Sequence, residues 1–271
     1  MPKQTTITKE IYFEGFGIHS NKKSSILLIP AEENSGIIFI KNNKKIEVNL
    51  NNIKSTFLCT TLSQNGESIL TIEHLLSSLY SLGITNLIVK VDGSEIPILD
   101  GSSFIFSREL IGNIKKQTSP AKELYLKEII YIHNNSKFII AKPSDKLKIK
   151  YFLDYGKDFP YFLYESFTLD KKESYIEKIS KARTFGFMKD AKKILSLNMA
   201  LGTTNENTLL IENNEYLSEL RYNNEIVKHK ILDFLGDVSL LDCKINAEFI
   251  CYKTGHKEHF DIVRKIKNVI T

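Results

Sequence analysis

The sequence predicts an α+β protein made of two similar units, and three observations lead to that class. Strand-like alternation gives way to helical spacing and then returns to strand, once in each half of the chain. Each half carries a histidine near the start of its principal helix, His74 and His229, and follows that helix with an apolar strand, LIVKV and AEFICY. The helices are apolar on more than one side, so if each sheet covers one side, the two helices bury their other faces against each other in a β-α-α-β sandwich.

In chain order, residues 5–60 read as short strands (TITKEIYFEG, SSILLIPA, SGIIFIKN, KKIEVNL) parted by turn-rich pieces such as GFGIHSNKK. From Ser68 the pattern ILTIEHLLSSLYSLGI is helical, NLIVKVDG alternates like a strand, and EIPILDGSSFIFSREL passes from a loop into a helix. The polar stretch from Asn113 to Lys122 marks the expected boundary, giving units 1–118 and 119–271. The second unit repeats the order: strands ELYLKEIIYIH, KFIIAKP and LKIKYFLDY, an aromatic passage from Tyr151 to Phe167, and then the helix and strand of 224–252. That aromatic passage suits either a groove for a long apolar ligand or the packing of a small sheet. In NEIVKHKILDFLGDVSLL, Asn224 and Glu225 read as a capped start, and seven apolar residues from Ile226 to Leu241 follow at helical spacing.

Composition narrows the function. With 42% hydrophobic and 25% charged residues the chain reads as globular, not disordered. The net charge of +5, from 37 basic and 32 acidic residues, has no basic run interleaved with aromatics. Nucleic acid is therefore not an expected partner, whereas an anionic small molecule or an occasional contact with an acidic membrane surface is. The N-terminus is polar and no run of about 18 apolar residues occurs, so neither a signal peptide nor stable membrane insertion is expected. Cys59, Cys243 and Cys251 show no CxxC spacing, which suits a reducing, cytoplasmic compartment better than a disulfide framework.

The chemistry-bearing residues sit on the two principal helices. His229 and Asp233, four apart, project from one helical face, and Asp237 continues the row. An imidazole and a carboxylate so placed can share a divalent metal, and they also suit an ordinary pair on a solvated face. With His74 they make a three-ligand zinc site that leaves a fourth position for water. Glu73 stands beside His74, where it can act as general base. His256, in YKTGH, can act as general acid or be a packed ring. Thr184 can donate to an oxyanion, while Phe185 and Phe187 also suit a core strand. His133 lies in a polar turn, and neither His19 nor His259 has an acidic or metal-ligand pattern around it.

Five motifs in order, TIEHLLSSL, EIPILDGS, ARTFGFM, VKHKILDFLGD and YKTGH, resemble the UDP-3-O-acyl-N-acetylglucosamine deacetylase family over essentially the whole chain. The resemblance implies a zinc hydrolase of lipid A biosynthesis in the bacterial cytoplasm, with two layered domains that each carry a small insert. It implies His74, His229 and Asp233 as zinc ligands, Glu73 as base, and His256 as acid oriented by Asp237. Thr184 would stabilise the oxyanion and Lys230 would bridge substrate and site. Lys253 would lie near the phosphates and Phe185 against the sugar, with Lys137 and Tyr155 contacting the UDP part and Leu58 and Cys59 flanking the metal pocket. Fe2+ also accepts such ligands. The expected partner is the UDP-linked acylated glucosamine, and the expected state a monomer. Two other readings remain: a zinc amidase for another acylated sugar, and a non-catalytic nucleotide-sugar or lipid binder. Two departures from the family pattern stand out: Thr203 in LGTTNEN replaces a second glycine, and KEHF after His256 replaces a commoner small-residue and Asn pattern.

Overall fold

Side chains alternate between core and solvent along most of the longer strands, as a sheet covered on one face requires. In the computed structural model, which describes residues 2–270, the first half runs β1 (Lys3–Ile7), β2 (Ile11–Phe16), β3 (Lys23–Pro30), β4 (Ile37–Lys41) and β5 (Lys44–Glu47). A small three-stranded sheet follows: β6 (Ile53–Ser55), β7 (Thr61–Gln64) and β8 (Glu67–Ile69). Then come α1 (Glu73–Ser81), β9 (Leu87–Asp92), α2 (Phe104–Ile111) and β10 (Ile114–Pro120). The second half begins with β11 (Glu123–Tyr125), β12 (Ile130–Asn134), β13 (Lys137–Pro143), β14 (Leu147–Leu153) and β15 (Leu163–Leu169). It continues through α3 (Lys172–Lys178), β16 (Thr184–Phe187), α4 (Ala191–Ser196), β17 (Thr208–Glu212) and β18 (Glu215–Tyr216). It closes with α5 (Glu225–Val238), β19 (Lys244–Tyr252) and α6 (His256–Ile270).

The two main sheets have one topology. Their main orders are β2-β3-β9-β4-β5 and β12-β13-β19-β14-β15, and in each the strand that follows the principal helix pairs in parallel at the same place, β9 with β4 and β19 with β14, while the second sheet adds the short β11, also parallel to β19. Leu75, Leu76 and Leu79 of α1 pack into a core with Leu28, Phe39 and Val89. Val227, Ile231 and Leu235 of α5 pack with Ile149 and Phe249 in a second core. The remaining faces of α1 and α5 meet each other, so the layers run sheet, helices, helices, sheet, as the sequence predicts. The inserts are the β6-β7-β8 sheet and the β16-β17-β18 sheet.

The helices pack tightly at Gly236, where an added Cβ would stand 2.3 Å from the Glu73 carbonyl oxygen. Gly236→Ala must therefore push α5 off α1, and we expect it to cost roughly 1–3 kcal/mol in denaturant unfolding, as overpacking does. A variant as stable as the parent would show that the contact is soft.

Several local expectations need correction. The Ser68 pattern does not start a helix: residues 67–69 pair with β7, Thr71 takes φ +59°, and α1 begins only at Glu73. Asn224 takes a left-handed φ of +57° and makes no side-chain cap. Within the polar boundary stretch the structure forms β10, which lies antiparallel against β1; this neither moves nor removes the expected boundary. The aromatic passage is not one groove. Tyr151 and Phe159 are core residues, β15 is an edge strand of the main sheet, and Tyr161, Phe162 and Tyr164 are exposed. At the C-terminal end, His256 opens the long helix α6, which the sequence reading leaves unmarked, and whose Phe260, Val263 and Ile266 are buried at helical spacing.

Candidate metal centre

The one-turn spacing on α5 brings His229 Nε2 to 3.3 Å from Asp233 Oδ1, and α1 brings His74 Nε2 to 3.7 Å from the same oxygen. Donor atoms of the three residues all lie within 4.8 Å of one another, and all three side chains are buried. The His229 Nδ1–H donates to the Ala182 carbonyl (3.1 Å), which leaves the Nε2 lone pair facing Asp233. Burial, reinforced by the neighbouring His229, pushes the His74 imidazole down to about 3, and burial lowers His229 as well, so both rings are neutral donors. Asp233 Oδ1 has no hydrogen-bond partner among the described residues. Donors of a tetrahedral zinc, at 2.0–2.1 Å from the ion, stand about 3.3 Å apart. The donor set, its spacing and the orphaned carboxylate oxygen all fit a divalent cation.

Two buried titratable side chains, Glu73 and His256, flank the donors. Glu73 is 3% exposed, and burial pushes its carboxyl up to about 8, the carboxylates of Asp233 and Asp237 adding to the rise. Its Oε2 accepts the Thr60 N–H (3.1 Å), while the Thr60 hydroxyl donates to Asp237 Oδ1 (2.8 Å). Asp237 Oδ2 accepts from His256 Nδ1 (2.7 Å), and His256 Nε2 lies 3.9 Å from Asp233 Oδ2, on the side of the metal donors. Burial alone would lower His256, but the charge and hydrogen bond of Asp237 outweigh it and raise the ring to about 9. Lys230 donates to Asp233 Oδ2 (2.7 Å) and lies over the Phe185 ring; burial opposes its charge, yet Asp233 holds the ammonium above its ordinary value.

Around this centre, Phe185 packs edge-on against the His229 ring at 6.0 Å, and the Thr184 N–H, at the start of β16, donates to Gly101 O (2.8 Å). Lys137, Tyr155 and Lys253 line one cavity of about 300 Å³, together with Asp154, Thr254 and Gly255. Lys137 pairs with Glu258 and Lys253 with Asp154. Tyr155 also touches Phe185 and Phe187, which joins the cavity to the metal donors. Cys59 is buried beside Glu73, and burial pushes its thiol up to about 12; Leu58 is exposed with φ +62°.

Sequence reasoning missed Thr60, misjudged His259 and gave no place to His19. His259 is wholly buried and donates through Nδ1 to Asp237 Oδ2 (2.8 Å), and its spacing three residues after His256 on one helix was the available signal. His19 lies in a turn whose backbone N–H groups bind Glu95, and it packs against the backbone of the second insert at Ala200 and Leu201. Nothing local in the sequence marked it.

Two neutral imidazoles and a carboxylate, with a buried carboxyl and a carboxylate-paired imidazole on either side, define a metal-assisted hydrolase as a class. Comparison with known proteins narrows it. The family model for UDP-3-O-acyl N-acetylglycosamine deacetylase matches residues 4–268, and the chain belongs to that family. Among similar proteins, the UDP-3-O-acyl-N-acetylglucosamine deacetylase of Wigglesworthia glossinidia brevipalpis is 39% identical over 278 residues, covering 98% of this chain and 93% of the relative. Those of Thermodesulfovibrio yellowstonii (36% identical; 98% and 92% covered) and Campylobacter hominis (35%; 94% and 88%) are also similar.

Proposed function

We propose that the chain hydrolyses the 2-acetamido group of a UDP-linked, 3-O-acylated N-acetylglucosamine, releasing acetate, in lipid A biosynthesis. The single observation that carries the reading is the buried His74, His229 and Asp233 donor set flanked by Glu73 and His256, in a chain of this family. His74, His229 and Asp233 hold one Zn2+, with Fe2+ acceptable to the same nitrogen and oxygen donors. The ion, when bound, supplies Lewis acidity to the attacking water and the amide carbonyl.

Glu73 takes a proton from the water as its oxygen bonds to the acetyl carbon. A cation beside the Glu73 carboxyl lowers its pKa from the value burial gives it towards neutrality, where a base serves best. Thr184 donates to the oxyanion, with the Lys230 ammonium nearby. As the C–N bond breaks, His256 delivers the Nε2 proton to the leaving nitrogen, its Nδ1 being held by Asp237, and the products are acetate and the free 2-amine. Lys137, Tyr155 and Lys253 contact the UDP part, and Phe185 the sugar. The reaction takes place in the bacterial cytoplasm; no helix among the described residues is long and apolar enough to cross a membrane. A pure binder would have no use for a buried base, a buried acid and three metal donors together.

The test is deacetylation measured on UDP-sugars of graded 3-O-acyl length, with metal content and chelator inhibition recorded on the same preparation. Shortening the acyl chain should lower kcat/KM stepwise, each buried CH₂ being worth about 0.8 kcal/mol. Equal kcat/KM across the series would point to an amidase for another sugar. Acetate release untouched by chelation would end the metal reading.

A further inference from the structure

Asp237 receives more hydrogen bonds than orienting His256 requires. Three donors converge on a carboxylate that is 1% exposed: the Thr60 hydroxyl on Oδ1, and both the His256 and His259 Nδ1–H groups on Oδ2, at 2.7 and 2.8 Å. The two histidines stand three apart on α6, so both rings face the same carboxylate. The far nitrogen of His259 is held too: its Nε2 is 2.9 Å from the hydroxyl of Tyr151 on β14, which also lies 2.8 Å from the Thr254 carbonyl and 2.9 Å from the Thr254 hydroxyl. Tyr151 and His259 are both wholly buried.

We infer that His259, fixed by Tyr151, is a positioning residue for the proton donor: it locks Asp237 in the one orientation that aims His256 Nε2 at the metal donors. The inference rests on His256 being the acid, and two features of the geometry support it. An imidazole pinned at both nitrogens cannot rotate, so its Nδ1–H is a fixed donor, and a carboxylate bound on both oxygens cannot swing away from His256. The anchor of the relay, Thr254, also lines the cavity of Lys137, Tyr155 and Lys253, so the acid and that cavity wall share one hydrogen-bonded frame. The KEHF departure from the family pattern thereby gains a physical account: a histidine at 259 spans the whole gap from Asp237 to Tyr151.

The experiment uses the metal-loaded full chain and four variants. His259→Leu removes the donor, His259→Asn keeps an amide N–H near the Nδ1 position, Tyr151→Phe frees the far nitrogen, and His256→Gln tests the parent reading. His259→Leu should lose about 10- to 100-fold in kcat, the usual range for an outer partner of a site, with KM and metal content within about twofold of the parent. His259→Asn should restore most of that loss, and Tyr151→Phe should fall between. The downfield Nδ1–H proton resonance of His256 should sharpen or vanish in step with kcat. The inference is overturned if His259→Leu and Tyr151→Phe keep the parent's kcat, or if His259→Asn falls as far as His259→Leu, which would make the ring mere packing. Should His259→Leu not fold, the Asn and Phe variants decide alone. A fully active His256→Gln would instead overturn the reading of the acid, and is told apart by that variant.

Discussion

Glu73→Gln and His256→Gln are each expected to lower kcat by roughly 10² to 10⁴, the range for losing a positioned acid or base, with metal content unchanged. Both substitutions preserve the local bonding: an amide oxygen at 73 can still accept the Thr60 N–H, and an amide N–H at 256 can still donate to Asp237. What each removes is the exchangeable proton. The pH dependence follows with its sign. In the proposed mechanism Glu73 works ionised, so kcat/KM should rise as pH climbs through its pKa, which burial places at about 8 and a bound cation lowers. In the same proposal His256 works protonated, so kcat/KM should fall as pH climbs through its pKa, raised to about 9 against the pull of burial by Asp237. Asp237→Asn deletes the raising charge while burial, which lowers, stays. The falling limb should therefore move to lower pH. A limb that does not move in Asp237→Asn would reassign it to the water at the metal or to Lys230. Near parental kcat in either Gln variant would leave a mechanism in which Glu73 performs both transfers.

The second large effect is expected at Asp233. If the proposed donor set is right, Asp233→Ala should take the chain from one bound metal ion to nearly none, with activity falling alongside, a greater loss than the about 10- to 100-fold that outer partners cost. The carboxylate faces both imidazoles at 3.3 and 3.7 Å, so deleting it removes the only negative charge among the three donors. It also strips Lys230 of its partner at 2.7 Å, so Asp233→Asn is the cleaner comparison, keeping the side-chain volume. Elemental analysis after dialysis reads the result. Full zinc in both variants would sink the donor set.

Much of this architecture that is local in the chain was legible in the sequence. The turn spacing of His229 and Asp233 needs only a helix, and the doubled order of helix and strand foretold two sheets of one topology. Much of what resisted reading depends on docking between distant segments, and two misreadings were local. Asp237 meets His259 only once α6 packs on α5, and Thr60 joins Glu73 to Asp237 only across both halves. Ile69 looked helical by apolar spacing, yet its hairpin pairing with Leu62 decided the matter. Asn224 has the right side chain for a cap, but its backbone enters the helix from the left-handed region, where the side chain makes no capping bond.

Because His74 comes from α1 and the other two donors from α5, an ion held among them binds only the docked arrangement of the two helices. By mass action such a ligand raises the free energy of unfolding by RT ln(1 + [L]/Kd), about 4 kcal/mol at a thousandfold excess over Kd. The ion is then a cross-brace as well as a reagent. Melting temperature should climb with free metal and drop on chelation, even in Glu73→Gln, where turnover is lost but the brace is intact.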